Sequence, residues 1–149
     1  MFNPIQLSQI TFDAHDPEGG NFGDLPKWNL SDLYPTTDGK EISTDLENLE
    51  KNCGSFAADY QGQLDGLTSD GLLNCIERYE DIQNIAGRIM SFAGLRYYQN
   101  TTDSERSKFM ADMQAKITNF TTPLVFFSIE INSIDDKVIT KLLNSNEKL

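Results

Sequence analysis

The sequence predicts an all-α fold: an irregular antiparallel bundle of four to five helices behind a disordered acidic N-terminal tail. Three observations predict it. From Thr44 onward apolar residues recur at steps of three and four, the helical period, rather than two. Polar residues of the helix-capping type stand before those runs at Thr44, Thr68, Thr102 and Ser133. Four of the five prolines fall within residues 1–38, so the later chain meets only Pro123 as a helix breaker.

Residues 1–38 carry six acids (Asp13, Asp16, Glu18, Asp24, Asp32 and Asp38) against the single base Lys27, with Gly19, Gly20 and Gly23 among them. Such a stretch buries too little apolar surface to order itself, so residues 1–24 are expected as a disordered acidic tail and residues 25–149 as one helical domain. Trp28, Leu30, Leu33 and Tyr34 are the expected anchors of its opening segment.

The first helix follows from Leu46, Leu49, Cys53, Phe56, Ala57, Tyr60 and Leu64, which share one stripe. Thr44 with Glu47 fits a capping box, Glu47 and Lys51 are ordered for an i,i+4 pair, and Gly62 or Gly66 supplies the stop. After Thr68-Ser69-Asp70 a second, longer helix is expected at about residues 70–99. It carries Leu72, Leu73, Ile76, Tyr79, Ile82, Ile85, Ala86, Ile89, Met90, Phe92, Ala93 and Tyr97. So wide a stripe calls for neighbours on two sides, with Gly87 and Gly94 as points of close approach.

Thr102 with Glu105 predicts the cap of a third helix bearing Phe109, Met113, Ile117 and Phe120. Pro123 then either kinks that helix or opens another. Leu124 to Ile131 (LVFFSIEI) has strand-like composition, but a lone strand would have no partner in a helical chain, so helix is expected. Adjacent helical residues point about 100° apart, so Phe126 and Phe127 are expected to place one ring in the core and one against another domain. Ser133 with Asp136 caps a last short helix with Val138, Ile139, Leu142 and Leu143.

Twelve Lys and Arg face 23 Asp and Glu, a net charge of -11, which repels phosphate backbones and anionic lipid headgroups. Neither a nucleic acid nor a membrane is therefore expected as a partner. No apolar run approaches the ~20 residues that span a bilayer, and Met1 to Asn21 hold no Lys or Arg and no signal-length apolar stretch. With only Cys53 and Cys75, a reducing, cytoplasmic setting is the simpler expectation. The glycosylation sequons Asn29-Leu30-Ser31, Asn100-Thr101-Thr102 and Asn119-Phe120-Thr121 then have no compartment in which to act.

Chemistry-bearing patterns are scarce. The one histidine, His15, lies in the tail, and no H-E-x-x-H motif occurs, so no metal ligand is expected. Cys53 falls on the first helix's apolar stripe, and Cys75 has no histidine to act as its base. Glu77, Glu80 and Asp81 read as a solvated acidic face rather than a general acid-base pair, and Gly19, Gly20 and Gly23 lack any phosphate-loop spacing. Arg96, Tyr97 and Tyr98 offer a cationic-aromatic patch, with interhelical packing the blander alternative. No catalytic, cofactor-binding or metal residue is therefore assigned.

Leu25 to Tyr34, LPKWNLSDLY, resembles the phrase W-[DN]-L-[ST]-D-L-[FY] that opens the ordered part of the oligoendopeptidase F family of thimet-type zinc oligopeptidases. Cys53 to Tyr60, Tyr79 to Ile82, Ser91 to Leu95, Asn100 to Asp103 and Leu124 to Asn132 resemble further phrases of that family's N-terminal helical domain, in the same order. The resemblance spans roughly residues 25–149. It implies a helical domain walling the cavity of an enzyme that hydrolyses short oligopeptides, with zinc held in the full-length family by a downstream H-E-x-x-H helix that this chain lacks. The expectation is a front piece of such a peptidase, inactive alone and binding no zinc, whose partner is the missing catalytic domain and which meets oligopeptide substrate only in the intact enzyme. The alternative is an independent acidic helical interaction module without catalytic activity.

Overall fold

The computed structural model describes residues 28–146. Five α-helices follow one another: α1 (Lys40–Tyr60), α2 (Ser69–Tyr98), α3 (Ser104–Thr121), α4 (Val125–Ile131) and α5 (Asp136–Asn144). Single 3-10 turns occupy Leu64–Gly66 and Thr122–Leu124, and no strand occurs among the described residues. The expected acidic tail with His15, residues 25–27 and the terminal Lys148-Leu149 lie outside the described residues.

At 30 residues α2 runs roughly 45 Å at 1.5 Å per residue and is the spine of the fold. Asp59 pairs with Arg78 near one end of α1 and Asp45 with Arg88 near the other, so α1 and α2 are antiparallel. Phe92 meets Phe109 edge-on at 6.0 Å, and Gln99 accepts from Arg106, so α3 returns antiparallel to α2. Both α1 and α3 pack along α2 and against each other, which explains the width of its apolar stripe. The core runs between them through Leu49, Cys53, Phe56, Ile82, Ile89, Phe92 and Met113.

α1 begins at Lys40, four residues before the expected Thr44-Glu47 capping box, and its N-cap Gly39 has no side chain with which to cap. The earlier start buries Ile42 in the core. That burial is worth about 1.5–3 kcal/mol, against about 1 kcal/mol for a side-chain cap. The helix stops as expected: Gln61 and Gly62, the latter at φ 75°, form a type II turn closed by Gln63 N donating to the Tyr60 carbonyl at 2.9 Å.

α2 starts as expected, with the Thr68 hydroxyl accepting from Gly71 N at 3.1 Å. The caps of α3 and α5 are displaced by one and two residues. Asp103, not Thr102, accepts from Glu105 N and Arg106 N, while the Thr102 hydroxyl donates to Asn100. Asp135 accepts from Lys137 N, while the Ser133 hydroxyl turns back to the Ile129 carbonyl. In both places a carboxylate stands near a hydroxyl. The charge-assisted bond to the helix N-terminus is the stronger, and it wins the cap.

Pro123 opens a new turn, and Leu124 to Ile131 is helical as expected. The split expected of Phe126 and Phe127 does not occur, for both rings are buried. Their centroids lie 5.9 and 5.6 Å from that of Phe56. The solvent face of α4 is instead Val125 and Ile129, 58% and 61% exposed.

Gly87 and Gly94 are not points of close approach: a Cβ on Gly87 would meet nothing within 4 Å, and one on Gly94 only Tyr98 of the same helix at 3.9 Å. Among the opening-segment anchors, Tyr34 is buried and Leu30 and Leu33 pack against the core. The Trp28 ring is 53% exposed, and that residue is held through its carbonyl, which accepts from Gln99 Nε2 at 2.8 Å.

Candidate functional site

Two arginines of α2 organise the polar contacts on the α1 side. Arg88 Nε donates to the Tyr34 hydroxyl at 3.0 Å, and its Nη2 also reaches the Asp45 carboxylate. The Tyr34 hydroxyl donates to the same carboxylate at 2.5 Å, and the Arg88 guanidinium lies 5.0 Å from the Tyr34 ring centroid. Burial, reinforced by the Asp45 carboxylate, pushes the Tyr34 phenol up to about 12, so it remains a proton donor. Ten residues earlier, Arg78 donates to Asp59 at 2.9 Å and stands over the Tyr60 ring at 5.1 Å. The Tyr60 hydroxyl donates to Asn74 Oδ1 at 2.8 Å. Every charge in these two groups has its opposite in contact; the Arg88 group ties α1, α2 and the opening segment together, and the Arg78 group ties α1 to α2.

Phe56, wholly buried, is the hub of a ring cluster at the other end of the core. It contacts Tyr60 at 4.9 Å and Tyr79 at 5.8 Å, besides Phe126 and Phe127. Tyr79 and Phe127 stack at 4.3 Å with 26° between their planes. Where α4 leaves α2, this stacked pair floors an open groove of about 580 Å³ lined by Ile76, Tyr79, Glu80, Gln83, Asn84, Phe127 and Ile131. The volume is in the range of ligand sites, although the groove is open rather than enclosed.

Cys53 and Cys75 are both buried in the core, where burial pushes each thiol up to about 11, so neither is a ready nucleophile. Glu77, Glu80 and Asp81 are exposed, as expected of a solvated face, and Glu80 forms the groove's rim. Tyr97 and Tyr98 touch at 5.4 Å, with Tyr98 well exposed, but the cations found over rings are Arg78 and Arg88 rather than Arg96. Arg96 Nε is buried without a hydrogen-bond partner among the described residues, and its carbonyl accepts from Arg106. No three His, Cys, Asp or Glu side chains converge as metal ligands among the described residues. The described residues therefore do not fit a zinc site.

The groove was not foreseen from sequence. Its signal is a second, mixed stripe on α2, Ile76, Tyr79, Glu80, Gln83 and Asn84, beside the apolar one that faces α1. Among the described residues no helix is long and apolar enough to cross a membrane. No family model, curated protein or solved structure matches the chain.

Proposed function

We propose that this chain is the N-terminal helical wall domain of an oligoendopeptidase F-like zinc metallopeptidase, a domain that limits access to a peptide cavity and does no chemistry itself. The observation in its favour is that the phrases carrying the sequence resemblance interlock. Tyr34, from the opening phrase, packs edge-on against Phe92 at 5.3 Å. Phe56, from the second phrase, packs against Tyr79, Phe126 and Phe127 from the third and last. In this reading zinc and its ligands belong to the catalytic domain of the intact enzyme.

The test is zinc content and oligopeptide cleavage, measured for this chain, for a separately expressed zinc-motif catalytic domain of that family, and for their mixture. The expected result is an inert chain and a mixture that cuts faster than the catalytic domain alone. Zinc binding or cleavage by the chain alone, or a mixture no better than its catalytic part, overturns the reading. A second reading, an independent acidic interaction module, is favoured by the open groove between α2 and α4.

A further inference from the structure

We infer that the groove between α2 and α4 is a docking site for an amphipathic helical segment of a partner protein that carries Lys or Arg beside its apolar side chains. The inference does not rest on the peptidase reading.

The apolar half of the occupant follows from the groove's floor and walls. Ile76, Tyr79 and Ile131 are only partly buried and leave apolar surface in the groove, over the buried Phe127 ring on which Tyr79 stacks. An open trough of about 580 Å³ along a helix accepts several side chains of one helical face better than it encloses a small molecule.

The cationic half follows from the rim. Glu80 lines the groove, Glu77 lies one turn before it, and Asp81 follows Glu77 by four residues, so three exposed carboxylates sit at i,i+3 and i,i+4 spacing. Like charges so spaced repel along a helix. The ion pairs among the described residues engage Asp45, Asp59, Asp103 and Asp112 and none of these three. No Lys or Arg lines the groove. A segment bringing an ammonium or guanidinium group to Glu80 relieves its repulsion with Glu77, three residues earlier on the exposed flank of α2, while its apolar face covers Ile76, Tyr79 and Ile131. An acidic or neutral segment does not.

The test uses the full chain, isotope-labelled for NMR, and three synthetic peptides of about four helical turns. One is an amphipathic Leu/Lys peptide, one has the same composition scrambled to destroy the apolar face, and one is the Leu/Glu counterpart. The Leu/Lys peptide is expected to move the amide signals of Ile76, Gln83, Asn84, Phe127 and Ile131, and to bind about tenfold more tightly than either control. The exposed substitution Glu80→Arg is expected to weaken it at least about fivefold without altering the fold. Equal binding of the scrambled peptide means general attraction to an acidic surface and overturns the inference. So do signal changes elsewhere on the chain, or binding indifferent to Glu80→Arg. Concentration-dependent shifts of the same signals without peptide assign the groove to a second copy of the chain, and likewise overturn it.

Discussion

The backbone N–H of Gly62 donates to both carboxylate oxygens of Glu130, at 2.8 and 3.0 Å, across 68 residues of sequence. This contact ties the turn after α1 to the last turn of α4 and holds the short helix over the Phe56 cluster.

Breaking that tie from either side has distinct costs. Glu130→Ala removes the acceptor and is expected to destabilise by about 1 kcal/mol. Gly62→Ala keeps the acceptor but forces a side chain into φ 75°, at a cost of about 1–2 kcal/mol. Urea midpoints of the two variants check both values, and a Gly62→Ala protein as stable as the parent contradicts the turn geometry.

Two helical glycines are stability left unused. Gly54 and Gly87 lie inside α1 and α2, exposed, with nothing within 4 Å of an added Cβ. Gly54→Ala and Gly87→Ala are each expected to stabilise by about 0.5–1 kcal/mol and to add when combined. Thermal melts of the singles and the double decide it, since a loss at either site means an unseen neighbour.

Phe56 has the opposite character. Wholly buried and touching Tyr60, Tyr79, Phe126 and Phe127, it leaves a void when cut to Ala, with an expected loss of about 3–5 kcal/mol. Phe56→Leu should cost markedly less. Denaturation of the pair shows whether the loss scales with the ring volume removed.

The buried thiols make stability fall in alkali. Burial raises both from 9.0 to about 11, so between those values the unfolded chain has released protons that the folded chain still holds. Their contribution is complete below pH 9 and lost as pH rises through about 11. The loss is on the order of 2 kcal/mol per thiol. Tyr34, raised from 10.0 to about 12, adds to the fall at the upper end. Unfolding midpoints from pH 8 to 11 should slope downward, and the slope should flatten in the Cys53→Ala, Cys75→Ala double variant whatever its absolute stability.

Periodicity and short-range caps made much of this fold readable. Thr68 as cap, Gly62 as stop, the apolar stripes of α1 and α2 and the helical state of Leu124 to Ile131 all depend on neighbours within about one turn. The caps of α3 and α5 differ by one and two residues because a neighbouring carboxylate outcompetes a hydroxyl, whereas two other differences depend on distant partners. Whether Gly39 or Thr44 begins α1 turns on the core space waiting for Ile42, and whether Phe127 faces inward turns on Phe56 and Tyr79. Of the candidate site, the acidic rim was legible as a charge cluster. The groove beside it was not, because its second wall arrives with Phe127 and Ile131, some fifty residues along the chain from Glu80.

The position of Trp28, the chain's one tryptophan, decides what optical experiments on this protein can see. Its indole is half in solvent while its carbonyl is held by Gln99 at the far end of α2. Tryptophan emission therefore starts close to that of a solvated ring and changes little when the core melts. What it registers is the detachment of the opening segment from the bundle. Tyrosine signals, from Tyr34, Tyr60 and Tyr79 in or against the core, report the collapse and loss of the interior. Comparing the two colours of fluorescence separates undocking of the segment from global unfolding without any label.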